Sequence, residues 1–210
     1  MSDRPPVRVG AVVLAAGAST RLGTPKQLLL HEGEPLVRRA ARAVLEAGAT
    51  PVVVVLGAES ERVRTALDGL AGIELLVNER WSDGLATSLT SGVRTLLAIA
   101  LVDAVLLTLA DQPLVGAPEL AALVARLTDS RGIVAAEYAG IVGVPAVVAR
   151  EHVDALLGLS GDRGAGAWLR SLGDHVVRVP MPAAAMDVDT PSDAARLAAG
   201  ASDSTIADPS

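Results

Sequence analysis

Val7-Arg8-Val9-Gly10-Ala11-Val12-Val13-Leu14-Ala15-Ala16-Gly17-Ala18-Ser19-Thr20-Arg21-Leu22-Gly23-Thr24-Pro25-Lys26-Gln27-Leu28-Leu29 decides the architecture. Val7 to Leu14 is nearly continuous in apolar residues, the pattern of a strand buried on both faces of a parallel sheet. It empties into a loop of small residues, Ala15 to Pro25, which carries Arg21 and delivers the chain to Lys26. Small residues let backbone N–H groups approach phosphate oxygens closely, and the two cations neutralise them. No Gly-Lys-Ser/Thr follows the loop, so it is not a P-loop, and no Gly-x-Gly-x-x-Gly dinucleotide fingerprint occurs here.

Outward from this stretch, apolar runs alternate with amphipathic ones. Further strands are expected at Pro51–Gly57, Ile73–Val77, Val102–Leu109, Gly132–Ala136, Ile141–Val148 and His175–Val179. Helices are expected at Glu34–Gly48, Glu59–Leu70, from the Trp81–Gly92 segment to about Ala98, and at Glu119–Leu127, Val153–Leu159, Ala165–Leu172 and Ser192–Ala199. In the first of these, Leu36, Val37, Ala40, Ala41, Val44 and Leu45 form an apolar stripe, and Gly48 ends it. Alternation at this spacing implies right-handed βαβ units around a mostly parallel sheet, an α/β fold. Ligands of such sheets sit beyond the carboxyl ends of the strands, just after Leu14, Val77 and Leu109. No internal repeat or domain linker is visible. Residues 1–200 are expected to form one domain, with 201–210 as a disordered Ser/Asp/Ala-rich tail.

Composition narrows the function. The formal net charge is −6 and no basic stripe occurs, which argues against a nucleic-acid binder. Trp81, Trp168 and Tyr138 are the only aromatics, too few for base-stacking platforms. No apolar run approaches the ~20 residues of a membrane span, and Met1 to Arg8 has no signal-peptide pattern, so a cytoplasmic location is expected. The absence of cysteine excludes disulfides, thiolate metal sites and a cysteine nucleophile. The chain holds 17 Arg but one Lys, Lys26, and one Asn, Asn78. Where coding bias replaces Lys by Arg, a surviving Lys is a candidate for a task that needs a compact ammonium.

Other motifs lie where the sheet should open. Leu106-Leu107-Thr108-Leu109-Ala110-Asp111-Gln112-Pro113 is an apolar strand ending in a carboxylate, suited either to a hard cation such as Mg2+ or to capping the turn before Pro113. In Asp187-Val188-Asp189-Thr190-Pro191-Ser192-Asp193, the two carboxylates at i and i+2 point the same way if the segment is extended. Thr190 and Asp193 form a partial capping box with Pro191 at the first helical position. From Asn78 to Ser88, Gly84 permits close backbone approach and Ser88 can reach a base or ribose, the alternative being an ordinary loop capped by Ser82 or Asp83. Leu159-Ser160-Gly161-Asp162-Arg163-Gly164-Ala165-Gly166 is a Gly-rich connection with one charge pair. His31, His152 and His175 fall outside every motif and are given no role.

The loop from Leu14 to Lys26 resembles the signature loop of nucleotidyltransferases with a Rossmann-like fold. From roughly Val7 to Leu197 the chain is similar to the molybdenum cofactor cytidylyltransferase family. That resemblance implies a three-layer α/β sandwich with a mostly parallel sheet, of the nucleotide-diphospho-sugar transferase type. It also implies a loop that wraps a nucleoside triphosphate. Leu14, Ala15, Ala16, Gly17 and Ser19 would contact the nucleotide, while Arg21 and Lys26 grip its phosphates. Asp111 matches the family's Asp-x-Pro metal motif, and Asp187 and Asp189 match Asp-x-Asp-Thr-Pro. The acid just before Thr-Pro is favoured, so Asp189 is the expected direct ligand and Asp187 the second choice. Asn78, Gly84 and Ser88 match the family's Asn followed by Gly-x-x-x-Ser. Three positions depart from the pattern: Gly166 replaces an Arg in the Gly-Asp-x-Gly-Ala-Arg loop near the acceptor, Val144 precedes Pro145 where His is usual, and Leu22 replaces Met.

The implied reaction is Mg2+-dependent transfer of CMP from CTP to the phosphate of molybdopterin, with release of pyrophosphate. Arg21, Lys26 and Asp111 would be its catalytic residues. Ala16, in a Leu-Ala-Ala-Gly loop where guanylyltransferases of the group read Leu-Ala-Gly-Gly, would narrow the base pocket in favour of a pyrimidine. The client would be a molybdoenzyme or its maturation chaperone. The alternatives are a guanylyltransferase or another phosphate-acceptor nucleotidyltransferase on the same scaffold. From another class, a non-catalytic cofactor chaperone also fits.

Overall fold

A valine-rich strand with no polar face is stable only when both faces are covered, and the chain meets that demand by laying helices on each side of one sheet. A computed structural model describes residues 7–127 and 132–203. In chain order the elements begin with β1 (Val9–Ala15), a 3-10 turn at Lys26–Leu28, the two-residue strands β2 (Leu30–His31) and β3 (Glu34–Pro35), and α1 (Leu36–Glu46). They continue with β4 (Val52–Leu56), α2 (Ser60–Ala66), β5 (Ile73–Val77), α3 (Leu85–Ile99), β6 (Ala104–Leu109) and α4 (Ala117–Arg126). The rest are β7 (Ile133–Tyr138), β8 (Ile141–Ala149), α5 (Val153–Leu157), α6 (Ala165–Ser171), β9 (Val177–Pro180) and α7 (Pro191–Asp203).

The main sheet has seven strands in the order β5-β4-β1-β6-β8-β7-β9. The pairs β1–β4, β1–β6, β4–β5 and β7–β9 are parallel, and β8 runs antiparallel to both β6 and β7. The expected α/β fold with a mostly parallel sheet is what forms. From β1 the chain steps outward to β4 and β5, then returns to the other side of β1 as β6. That reversal opens a crevice at the carboxyl ends of β1 and β6, the position where doubly wound sheets bind ligands. The Ala110 N–H donates to the Leu14 carbonyl at 3.1 Å and closes the floor between those two ends.

Side chains alternate across β1. Val9, Ala11, Val13 and Ala15 join the core under α1 and α4, while Val12 faces the core under α3. Two glycines, Gly10 on β1 and Gly92 on α3, make room for the packing of helix α3 on the sheet. A Cβ on Gly92 would stand 2.6 Å from methyls of Val12 and Val55, and one on Gly10 would stand 2.8 Å from Leu96. Helix α3 is the element that carries Leu85 and Ser88, so this packing sets where those side chains stand.

Several element ends differ from expectation. Glu34 and Pro35 pair with His31 and Leu30 as a small hairpin, so α1 starts at Leu36 and not at Glu34. The stretch expected as a helix from Glu59 to Leu70 is helical only over Ser60–Ala66: Glu59 takes a left-handed conformation at φ 56 before it, and 67–69 form a turn that ends on Gly69 at φ 77. The last strand is Val177–Pro180, displaced from the expected His175–Val179. Helix α7 runs on to Asp203, into the stretch expected as tail; the remainder of that expectation, 204–210, lies outside the described residues. No helix among the described residues is long and apolar enough to cross a membrane.

Candidate active site

The loop after β1 is held by a residue that the sequence did not single out. Gln27 is buried, and its side-chain amide donates to the carbonyls of Ala15 at 2.9 Å and Gly17 at 2.7 Å. Ser19, at φ 54, turns the loop. Its hydroxyl oxygen accepts from the Lys26 N–H at 2.9 Å, and its carbonyl accepts from Leu22 and Gly23. The Ala16 carbonyl accepts from Ala58, and Gly57 beneath it has no room for a side chain, since a Cβ there would lie 2.8 Å from the Ala16 methyl and 2.7 Å from Trp81 Cβ. The loop is thus pinned from below by Gln27 and Gly57 and closed on itself at Ser19.

Four charged groups meet at the crevice. The Lys26 ammonium lies 2.5 Å from Asp111 Oδ2 and 2.7 Å from Asp189 Oδ1. Arg21 reaches the other oxygen of Asp189 at 2.5 Å. Asp111 arrives on the end of β6, and its backbone carbonyl accepts from the Val188 N–H at 3.1 Å, which ties the Asp187–Asp189 segment to the sheet. Thr190 and Asp193 cap α7 as expected: the Thr190 hydroxyl and N–H both donate to Asp193 Oδ2, at 2.6 and 2.9 Å. The cap holds Asp189 against Lys26.

Burial would lower the Lys26 pKa, but Asp111 and then Asp189 outweigh it and hold the ammonium above its ordinary range. The Lys26 hydrogen bond, opposed by burial and aided by the Lys26 and Arg21 charges, holds Asp189 below the usual carboxylate range. Asp187 is displaced the other way, by burial first and then by the negative charges of Asp189 and Asp111. The pair that the sequence left in order of preference is therefore physically distinct: Asp189 is ion-paired at the crevice, and Asp187 is exposed and lies outside the cavity lining.

The crevice is a cavity of about 390 Å3. Leu14, Ala15, Ala16, Gly17, Arg21 and Lys26 line one side, Leu109, Ala110, Asp111 and Asp189 another, and Trp81, Leu85 and Ser88 a third. Of the expected nucleotide contacts, Ser19, Asn78 and Gly84 do not line it, and neither does Asp187. Each holds something that does, or stands beside it. Asn78 is buried and its amide donates to Ser88 Oγ at 2.9 Å and Thr87 Oγ1 at 3.0 Å, so it orients the residue that faces the cavity. Gly84, at φ 117, packs against Gly161 so tightly that a Cβ would lie 2.5 Å from the Gly161 carbonyl, and that carbonyl accepts from Ala86 at 3.1 Å. The close backbone approach expected at Gly84 is made to the chain's own Gly-rich loop. Trp81 and Leu85 were not foreseen as lining residues, although their apolar character within a motif of polar and small residues is a signal in hindsight. Gln112, also unforeseen, is buried and bridges the carbonyls of Val144 at 3.0 Å and Ala184 at 3.1 Å.

A crevice at the reversal of a doubly wound sheet, with a small-residue loop and a Lys–Asp–Asp cluster, offers the residue types that suit a phosphate-bearing ligand. Residues 11–176 match the MobA-like NTP transferase domain. The chain belongs to this family. The MobA-like chain is 36% identical over 172 residues to the nicotine blue oxidoreductase of Paenarthrobacter nicotinovorans, covering 77% of this chain and 81% of that protein. It is 31% identical to Rv0371c of Mycobacterium tuberculosis H37Rv, with a TM-score of 0.72 and coverage of 91% of this chain and 97% of that one. Rv0371c has also been solved in complex with manganese; that structure gives 30% identity, a TM-score of 0.70 and coverage of 90% and 97%. A nucleotidyl transferase from Methanothermobacter thermautotroptrophicus shares the fold, with a TM-score of 0.79 at 24% identity over 94% of this chain and 99% of that one.

The MobA-like site suits a divalent metal. Asp111 and Asp189 already converge on one small cation, and Asp111 Oδ1 is buried without a hydrogen-bond partner. Among the described residues no three His, Cys, Asp or Glu side chains gather into an all-protein cage. Two carboxylates completed by substrate phosphates and water is the coordination that Mg2+ commonly takes.

Proposed function

We propose that the chain transfers CMP from CTP to the phosphate of a molybdopterin-type acceptor and releases pyrophosphate, in the cytoplasm and on behalf of a client molybdoenzyme. The observation that carries this is the Lys26–Asp111–Asp189 cluster, with Arg21 on its flank, lining a cavity whose remaining residues are apolar apart from Gln27 and Ser88. The apolar wall of Leu14, Ala16, Trp81 and Leu85 suits a base and Ser88 suits a ribose, which leaves the triphosphate to the charged side. The methyl of Ala16, seated beside Gly57 and Trp81, narrows the base wall in favour of a pyrimidine.

The acceptor is a phosphate monoester, already largely dianionic at neutral pH because its second pKa is near ~6. One of its oxygens forms a bond to the α-phosphorus while the bond from that phosphorus to the β-phosphate bridging oxygen breaks, and pyrophosphate leaves. No general base is required, so the protein's work is positioning and charge neutralisation. The backbone amides of Ala15 to Gly17 orient the nucleotide, and Lys26 and Arg21 neutralise the departing pyrophosphate. Asp111 and Asp189 would hold Mg2+, which supplies Lewis-acid neutralisation of the phosphates.

The test is calorimetric titration with CTP and with GTP, each with Mg2+ and after its removal, followed by turnover with molybdopterin. Magnesium-dependent binding of CTP over GTP, with pyrophosphate released only when molybdopterin is present, is the expected result. A preference for GTP replaces the product by the guanine dinucleotide. Binding without turnover on any phosphate acceptor favours a cofactor chaperone. The likeness to nicotine blue oxidoreductase favours a second reading, a redox reaction. Reduction of nicotine blue by the purified chain with an added electron donor, without pyrophosphate release from any nucleotide, would establish that reading instead.

A further inference from the structure

Lys26 is the only lysine in the chain, and its ammonium stands where a divalent cation would have to stand. One nitrogen contacts an oxygen of Asp111 and an oxygen of Asp189, at 2.5 and 2.7 Å. Those carboxylates are the two that would hold the metal. The Lys26 and Asp111 side chains are only 17% and 15% exposed, so water screens their attraction weakly. With the ammonium in place, a dication drawn to the same oxygens meets a positive charge a few ångströms away. Without it, the negative charges of Asp111, Asp189 and the nearby exposed Asp187 would be faced by Arg21 alone, which reaches only Asp189.

The choice of side chain matters. A guanidinium is a rigid planar fork, and Arg21 makes its one contact to Asp189, whereas an ammonium is a compact point charge on a flexible four-carbon stem. It can bridge two carboxylates and can also swing away when other oxygens are offered. This accounts for the one lysine kept among 17 arginines. The loop that carries Lys26 is pinned by Gln27 and Ser19, so the swing belongs to the side chain and leaves the backbone in place.

We infer that Lys26 is a resident counter-cation that fills the divalent-metal position of the free protein, and that nucleotide phosphates draw it off the two aspartates so that metal and nucleotide enter together. This rests on the nucleotidyltransferase reading for the identity of the displacing ligand, but the occupancy of the metal position by Lys26 stands on the geometry.

The test measures Mn2+ binding to the whole chain by the electron paramagnetic resonance of free Mn2+, with and without the non-hydrolysable α,β-methylene analogues of CTP and GTP. Wild type is expected to bind Mn2+ weakly alone and at least about tenfold more tightly with analogue. Lys26→Gln is expected to bind Mn2+ without nucleotide at least about tenfold more tightly than wild type, a gain that a second change, Asp189→Asn, removes. Equal Mn2+ affinity of wild type and folded Lys26→Gln in the absence of nucleotide would overturn the inference. A measurement on wild type alone guards against a variant that fails to fold. Protein labelled with 13C at the lysine ε-carbon gives one resonance from Lys26, which should shift when analogue is added and stay unmoved by Mg2+ alone. A shift with Mg2+ alone as large as that with analogue sinks the idea. If neither analogue binds, the nucleotidyltransferase reading fails, while the comparison of Lys26→Gln with wild type still decides the role of the ammonium.

Discussion

Asp111 combines two features that rarely coexist in a structural carboxylate. One oxygen is paired with Lys26 and the other is buried without a partner. A buried unpaired oxygen costs stability unless a ligand uses it. Asp111→Asn is therefore expected to keep the fold and to lower kcat at least about 100-fold, measured as pyrophosphate release. Asp187 is adjacent but outside the cavity wall, and Asp187→Asn should cost about tenfold, the scale of an outer group that tunes a ligand. Loss of the same size in both variants would show that Asp187 holds the metal directly, as Asp111 is proposed to do. Ala16 makes a claim about selectivity and not about rate: Ala16→Gly should lower the ratio of CTP to GTP affinity, read by parallel titrations. An unchanged ratio would remove Ala16 from the pyrimidine argument.

Elements meet at this site through backbone contacts that leave no room for side chains. The N-terminus of α3 and the loop before α6 touch at Gly84 and Gly161, with Ala86 donating to the Gly161 carbonyl. Leu85, which walls the cavity, also stands against Gly164 of that loop, where a Cβ would be 3.5 Å from it. The part of the cavity wall carried by α3 and the Gly-rich loop are thus one unit. Gly84→Ala places a methyl in a backbone carbonyl at a left-handed φ, and should destabilise the protein by about 1–3 kcal/mol in urea denaturation. The same variant should weaken CTP binding, because Leu85 and Ser88 move with the start of α3. Destabilisation without any change in nucleotide affinity would show that the clasp serves the fold alone.

On the scale of the molecule, the sheet reversal makes the site, and its far end is closed by charge. At the amino end of β1 and β6, Arg8 grips Asp103: its Nε and Nη2 donate at 3.0 and 2.9 Å, its N–H donates at 2.9 Å, and the Asp103 N–H returns a bond to the Arg8 carbonyl at 2.8 Å. Those bonds lower the Asp103 pKa to about 2 from an ordinary 3.8. A depressed carboxylate pKa stabilises the fold above the ordinary carboxylate range, and the benefit is lost as pH falls through the folded value. Asp103→Asn should therefore be less stable than wild type at neutral pH, with the difference vanishing as pH falls from about 4 towards 2 in acid-denaturation curves. The pair is exposed, so added salt should shrink the effect. A difference that stays constant across that pH range would assign it to lost packing.

Much of this was legible in residue order. Val-rich runs followed by amphipathic helices define a doubly wound sheet whatever the detailed contacts, because burial on both faces is a property of composition. The small-residue loop with Arg21 and Lys26, the acid at the end of β6 and the capped Asp189 were visible for a related reason: each sits at a strand or helix terminus, where local chemistry dictates the residue type. The antiparallel turn of β7 into β8 was hidden, since Ala139 and Gly140 at φ 48 and 75 make a tight hairpin without the usual Asn-Gly signal. Contacts between distant segments were hidden as well: Gln27 locking the loop, Asn78 serving Ser88 and not the cavity, Gly84 spent on Gly161, and one ammonium shared by Asp111 and Asp189. Periodicity and local propensity report which face of an element is buried, whereas only the packed chain decides which partner fills that face, and at this site the partner determines the role.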